Sequence, residues 1–323
     1  MKIITILSGK GGTGKTTVSS NLALLFSKHK KIVAADCDAD APNLGLVLGK
    51  REKDFKNWRN VQTNEKAVLD EKKCNGCKKC LEVCNFGAIN WDEKNKKPEF
   101  NAMLCEGCGA CQLVCPKRAI NLVKINNGKI GFLKTRYGFY LVSGQLNIGS
   151  TGSGKIVSLI KEKAQELADK NNVEIMLLDS AAGVGCPVIA SIQGSDFVVA
   201  VTEPTPSGLN DLKRALRTVE HFRIPYGLII NKHNLNKNFT TKIETFAKKN
   251  KIPILGKIPY KKDFVQATIK MKPIVAINLK YTKTFEDIIN NINKEIKEEE
   301  DMYFAEKIVN KNVYIKYVRR YKK

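Results

Sequence analysis

Gly9-Lys10-Gly11-Gly12-Thr13-Gly14-Lys15-Thr16 is a complete G-x-x-x-x-G-K-[ST] run, set between an apolar stretch at 2–8 and a helical pattern from Lys15 to about Lys28. Strand, glycine loop and helix in that order decide the fold class. The glycines let successive backbone N–H groups converge on one anion, and the first helical turn adds positive potential. Lys15 is placed for the β- and γ-phosphates of a nucleotide and the Thr16 hydroxyl for a magnesium ion. Thr17 extends the phosphate-binding stretch.

Working outward, strand-like runs recur at 31–36, 140–143, 174–179, 197–202, 227–231 and 253–257. Helical patterns such as 208–222 and 239–249 fall between them, and this alternation predicts an α/β fold with a mostly parallel, doubly wound sheet. Residues 64–124 break the rhythm. They are short-looped, hold eight of the ten cysteines and repeat with a period near 31 residues, from Cys74 to Cys105. The strand–helix rhythm resumes afterwards, so this stretch reads as an insertion of small α+β type. The expected organisation is a discontinuous core of 1–63 and 125–295, an insert of 64–124 and a charged extension of 296–323. The 323 residues suffice for one large α/β unit or two ordinary ones.

Cys74-x₂-Cys77-x₂-Cys80-x₃-Cys84 is followed by Cys105-x₂-Cys108-x₂-Cys111-x₃-Cys115-Pro116. Nothing at the N-terminus reads as an export signal, so a reducing, cytoplasmic setting is expected, where cysteines serve as ligands rather than disulfides. Thiolates at this spacing also suit zinc. The doubled pattern resembles the bacterial two-cluster ferredoxin run, which implies two [4Fe–4S] clusters with the fourth cysteine of each set serving the other cluster. Cys74, Cys77, Cys80 and Cys115 would then hold one, and Cys105, Cys108, Cys111 and Cys84 the other. Asn85 departs from that pattern, standing where proline usually follows the fourth cysteine.

With Lys10 as a second lysine in the glycine loop, the chain resembles the deviant Walker-A family of Min and Par partition ATPases, the nitrogenase iron protein and Mrp-type iron–sulfur carriers. The resemblance covers about residues 1–295, and within it the chain is most similar to P-loop ATPases with an inserted ferredoxin domain. It implies ATP with Mg²⁺ as ligand, a homodimer closed by ATP, and Lys10 reaching across to the partner's phosphates. In Asp36-Cys37-Asp38 it makes Asp38 the carboxylate that positions the attacking water near magnesium. It makes Asp179 the acid that holds Mg²⁺ through water, and Asn231, before Lys232, the amide that reads adenine. Lys10, Asp38 and Lys15 thus form the expected catalytic set. Gly149-Ser150-Thr151-Gly152-Ser153-Gly154-Lys155 also fits G-x-x-x-x-G-K, but Ile156 replaces the magnesium-binding hydroxyl, and the run reads as a turn capping the next helix. Cys37 reads as a small buried apolar residue. Cys186 lies seven residues past Asp179, where the nitrogenase iron protein has a cluster ligand. Its readings are a bridging cluster between subunits or a structural or redox-active free thiol.

The formal charge is +23, yet only nine of the 55 basic residues are arginine, the usual residue for phosphate and base recognition. Nucleic acid is therefore not the expected partner. The basic tail, with Lys311, Lys316, Arg319, Arg320, Lys322 and Lys323 after the acidic run 295–301, keeps a membrane surface as a secondary candidate. No run of eighteen apolar residues exists, so no membrane-spanning helix is expected. Three functions fit these motifs: an ATP-gated electron-transfer protein, an assembly or carrier protein for iron–sulfur or related clusters, and a surface-positioning ATPase. Fixed ferredoxin cubanes argue against simple carriage. The favoured reading is a slow, partner-stimulated ATPase coupled to electron transfer or metallocofactor maturation, working with a redox or cofactor-assembly protein.

Overall fold

The computed structural model describes residues 1–55, 57–299 and 301. The apolar run before the glycine loop forms β1 (Lys2–Ser8), buried from Ile4 onward, and the loop delivers the chain into α1 (Lys15–Phe26). β2 (Ile32–Cys37) follows, buried throughout, then a short α2 (Leu44–Val47). β3 (Arg59–Val61) leads into the insert: β4 (Asn64–Leu69), α3 (Lys79–Glu82), β5 (Ile89–Asp92), β6 (Lys97–Phe100), α4 (Ala110–Leu113) and β7 (Ile120–Ile125). The chain returns through β8 (Gly128–Lys134) and β9 (Tyr140–Leu146) into α5 (Ser153–Asn171) and β10 (Ile175–Ala182). Then come α6 (Cys186–Ile192), β11 (Phe197–Thr202), α7 (Pro206–His221), β12 (Tyr226–Asn231), α8 (Lys237–Lys249), β13 (Ile254–Ile258) and α9 (Lys262–Ile269). A last helix, α10, covers residues 282–299, and the basic tail lies outside the described residues.

The main sheet has nine strands in the order β13-β12-β11-β1-β10-β2-β9-β8-β3. β13 through β9 run parallel, so their carboxyl ends share one edge. β8 and β3 add an antiparallel border that hydrophobic alternation in the sequence did not announce. Gly128 and Gly131 interrupt the apolar pattern of β8, and β3 is three residues long.

Alternate residues face opposite layers, as a pleated strand requires. Ile4, Ile6, Ala34, Leu177 and Val199 pack on α1 and α10. On the other face, Val198, Ala200 and Ile230 pack on α6, α7 and α8, while Val33, Ala35 and Leu178 pack on α5. Helix 208–222 of the sequence reading begins two residues earlier, at Pro206, where Thr205 accepts the Gly208 N–H (3.0 Å) as an N-cap. Among the described residues no helix is long and apolar enough to cross a membrane.

The insert builds two-stranded sheets of its own, β4 with β7 and β5 with β6, both antiparallel. Its sequence repeat is also a backbone repeat. Positive φ recurs at Gly76 and Gly107, at Lys78 and Gly109, and at Gly87 and Arg118. Each pair is separated by the same interval as Cys74 and Cys105.

Candidate functional site

The loop after β1 lies at the carboxyl edge of the parallel strands, where β1 is flanked by β10 and β11. Ligands of open α/β sheets collect at this edge, where the strand order reverses. A cleft of about 1290 Å³, open to solvent, is lined there by Gly11 to Thr17, Asp38, Asn43 and Met271. Gly14 has φ +92°, and a Cβ on it would collide with the amide of Asn231. That amide donates to the Thr13 carbonyl at 2.6 Å, so Asn231 pins the loop from β12. Among the described residues the buried Thr13 Oγ1 has no hydrogen-bond partner, an orphan that a bound anion would satisfy.

Asp179, at 1% exposure on β10, gathers the loop's polar groups. Its Oδ1 accepts from Lys15 Nζ at 3.0 Å and from Ser19 Oγ at 2.7 Å, and its Oδ2 from Thr16 Oγ1 at 2.7 Å. Burial alone would lower the Lys15 pKa, but the charge and hydrogen bond of Asp179 outweigh it and hold it above the ordinary lysine value. Asp36 is fully buried beside this pair. Burial, and next the charge of Asp179, push it up to about 8. Its carboxyl accepts from Leu44 N (2.8 Å) and Asp38 N (3.2 Å), which folds the 38–44 loop over the cleft. Asp38 reaches the cleft wall and accepts from Ala41 N at 3.2 Å, and burial raises its pKa too. Asp179 thus bonds both Lys15 and the Thr16 hydroxyl, while Asp36 and Asp38 act on Lys15 through their charge alone, so the cleft sets one acid and one hydroxyl beside the phosphate-binding lysine. Cys37 is fully buried in the core, and burial drives its thiol well above the usual range.

Lys10 lies on the outer lip. Its Nζ is 2.7 Å from Glu203 Oε1 and 3.1 Å from Ser207 Oγ. Sequence reasoning passed over Ser19, Asp36 as an anchor, Glu203 and Lys232. Ser19 had a local signal, sitting one helical turn after Lys15; Glu203 had none.

The insert's cysteines gather differently. A partly open pocket, about 350 Å³ with the adjoining solvent included, is lined by Cys84 together with Cys105, Cys108 and Cys111, and by Phe86 and Ala88. One cysteine of the first run is therefore brought to three of the second. Cys80 lies close enough to Cys74 and Cys111 to sense their charge, while burial pushes its thiol up to about 11. Cys115 packs on the same small core, and Cys77 is exposed. Cys105 Sγ accepts from Ala67 N at 3.4 Å and Cys115 Sγ from Ala119 N at 3.3 Å. Backbone donors of this kind tune thiolate-bound clusters. Among the described residues no three acidic, cysteine or histidine side chains converge on a single-ion position. A cubane spreads its four thiolates over four irons, so its ligands surround a cavity rather than one point. Cys186 begins α6 and is exposed; Gly154 of the second glycine run packs directly against it. That run turns into α5 through Gly152, and its Thr151 accepts from Asn64 Nδ2 at 2.7 Å.

The profile of the CobQ/CobB/MinD/ParA nucleotide binding domain matches residues 4–274. An uncharacterised protein of Methanocaldococcus jannaschii is 42% identical over 243 residues, covering 74% of this chain and 82% of the relative. The septum site-determining protein MinD of Helicobacter pylori is 25% identical over 304 residues, 90% of each chain. Among solved structures, Pyrococcus horikoshii MinD complexed with Mg-ADP is similar at TM-score 0.56 and 19% identity, over 91% of this chain and 96% of its own. The last likeness is one of fold.

Proposed function

Because the chain belongs to the CobQ/CobB/MinD/ParA nucleotide-binding family, we propose that it binds and hydrolyses Mg·ATP in the cleft after β1 and couples nucleotide state to iron–sulfur chemistry in the insert. In this reading Lys15 and the loop amides hold the phosphates, Thr16 and Asp179 hold magnesium, and Asp38 orients water. Asn231 would read the base once its amide leaves the Thr13 carbonyl. Lys10 crosses to a second copy, so ATP closes a homodimer. The Mg-ADP complex of Pyrococcus horikoshii MinD supports the choice of ligand.

The insert is read as a ferredoxin-like domain with two [4Fe–4S] clusters. Cys84, Cys105, Cys108 and Cys111 would hold one, and Cys74, Cys77, Cys80 and Cys115 the other. When bound, such clusters supply one-electron redox chemistry. The observation that carries this reading is the cavity joining Cys84 to the second cysteine run, since a simple tandem of four-cysteine zinc knuckles would keep each run to itself. The chain would then pass electrons, or a metallocofactor, to a partner protein in step with ATP turnover. A Min-like surface-positioning role is the second reading, favoured by the resemblance to MinD along 90% of the chain.

Anaerobically purified protein is expected to contain about eight irons per chain, four for each cluster, and to bind Mg·ATP. Lys15→Ala is expected to abolish ATP binding and leave the iron in place. Stoichiometric zinc without iron after anaerobic reconstitution would remove the redox reading and leave the positioning one.

A further inference from the structure

Glu203 begins the turn between β11 and α7 and is 13% exposed on its side chain. Its two carboxylate oxygens serve two ammonium groups: Oε1 lies 2.7 Å from Lys10 Nζ and Oε2 lies 2.8 Å from Lys232 Nζ. Both lysines belong to the nucleotide site. Lys232 also donates to the Gly12 carbonyl at 2.7 Å, and Lys10 donates to Ser207 Oγ at 3.1 Å and Thr205 Oγ1 at 3.5 Å. Lys10 is therefore folded back along its own subunit, held to the first turn of α7 by a carboxylate and two hydroxyls. Burial opposes ionisation of Glu203, but its bonds to Lys10 and Lys232 prevail and keep it below the ordinary glutamate range. Isolated surface ion pairs contribute little. Here one partly buried carboxylate bridges two cations, and two hydroxyls complete the shell of Lys10, so the geometry is specific.

We infer that Glu203 is a positioning residue for Lys10, stowing that lysine on its own subunit and so setting the ATP and protein concentrations at which two copies close. This rests on the reading of Lys10 as the lysine that acts across the dimer. A lysine committed to a partner's phosphates must first leave Glu203, and Lys232 makes that release feasible, because it stays on the carboxylate and leaves no buried charge unpaired. The clasp thus disfavours closure of the empty subunit. ATP phosphates in the partner offer Lys10 a stronger counter-charge and reverse the preference.

The test uses the full-length protein with Mg²⁺ and a non-hydrolysable ATP analogue, followed by sedimentation velocity over a range of protein concentrations. One partly exposed ion pair is worth roughly a factor of three, and a symmetric dimer opens two. Glu203→Gln is therefore expected to lower the dimer dissociation constant roughly tenfold, once any change in monomer affinity for the analogue, measured on the same samples, is taken out. Ser207→Ala, which trims only one hydroxyl from Lys10, should shift it the same way by less. In a Lys10→Ala background, adding Glu203→Gln should leave the dimer dissociation constant where Lys10→Ala alone puts it, whereas a general loosening of the fold would shift it there as well. A Glu203→Gln curve that superimposes on the wild type, or lies at higher concentration, overturns the inference while the sandwich reading stands. A wild-type protein that stays monomeric with the analogue removes the sandwich reading itself, and this inference with it.

Discussion

A single carboxylate organises the nucleotide cleft. Asp179 holds Lys15, Thr16 and Ser19 at 2.7–3.0 Å in a place with almost no solvent. Breaking a buried ion pair by removing one partner costs about 3–5 kcal/mol, because the remaining charge loses both water and counter-charge. Asp36 is near enough to Lys15 to recover part of that. Asp179→Ala is therefore expected to lower the melting temperature of nucleotide-free protein by about 5–10 °C, at about 2–4 °C per kcal/mol for a chain of this size. ATP hydrolysis should be lost with it. Thermal melts and phosphate release check both, and an unchanged melting temperature would mean that the pair contributes nothing net. Such residue-level roles were legible only where a local pattern carried them. Gly9 to Thr16 announced themselves through spacing, and Asp179 only through the family resemblance that sets it in order after them. Asp36 and Glu203 did not, because a lone acid at a strand end has the same local appearance whether it caps a turn or clasps a distant lysine.

At the scale of elements, the parallel strands were legible because each is a buried apolar run followed by a helical period. β3 and β8 were not, since a three-residue strand and a glycine-interrupted one leave no periodic signal. The insert was legible through its cysteine spacing and its repeat, which the backbone repeats as well. Its integrity rests on close approaches between chain segments more than on a core, since few fully buried apolar side chains lie within it. Gly107, between Cys105 and Cys108, has φ +66°, and a Cβ there would drive into the carbonyl of Glu65 on β4. The same strand supports the second cysteine run through Lys66, which donates to the Cys105 carbonyl, and through Ala67 N on Cys105 Sγ. On the proposed two-cluster reading, Gly107→Ala should push that run away from β4 and weaken the hold of Cys105, Cys108 and Cys111 on a cluster. The expected result is a fall from about eight to about four irons per chain, with ATP binding unaltered, measured by iron analysis and nucleotide titration of the same preparation. Full iron retention would show that the loop tolerates the displacement and that the β4 contacts do not hold the cluster.

At the scale of the whole molecule the question is whether the two halves of the chemistry communicate. The structure offers a route. Asn64, where β4 begins, donates to Thr151; the run that carries Thr151 packs through Gly154 on Cys186; and Gly183, three residues before it, donates its N–H to the Ser8 carbonyl at the end of β1. Ala182 and Ser8 both line the nucleotide cleft. A contiguous route is not by itself coupling, since coupling requires an element with two arrangements that both sites bias. The 38–44 loop and the Lys10 clasp are the elements at the cleft that dimer closure would rearrange. If closure also shifts the 149–155 run, the cavity around Cys105 must respond, and linkage makes the effect reciprocal: ATP changes the cluster potential by as much as reduction changes ATP affinity. A coupling of about 1–3 kcal/mol is usual for linked sites, which for a one-electron couple, at about 59 mV per tenfold, amounts to tens of millivolts or more. Redox titrations followed by EPR on Asp38→Ala protein, expected to bind ATP without hydrolysing it, should therefore separate when run without nucleotide, with ADP and with ATP. Asn64→Ala, which cuts the bond to Thr151, should bring the curves back toward one another while leaving the iron content intact. Titrations that superimpose in protein with Asn64 intact would show the insert to be indifferent to nucleotide and would remove the coupling proposed for it.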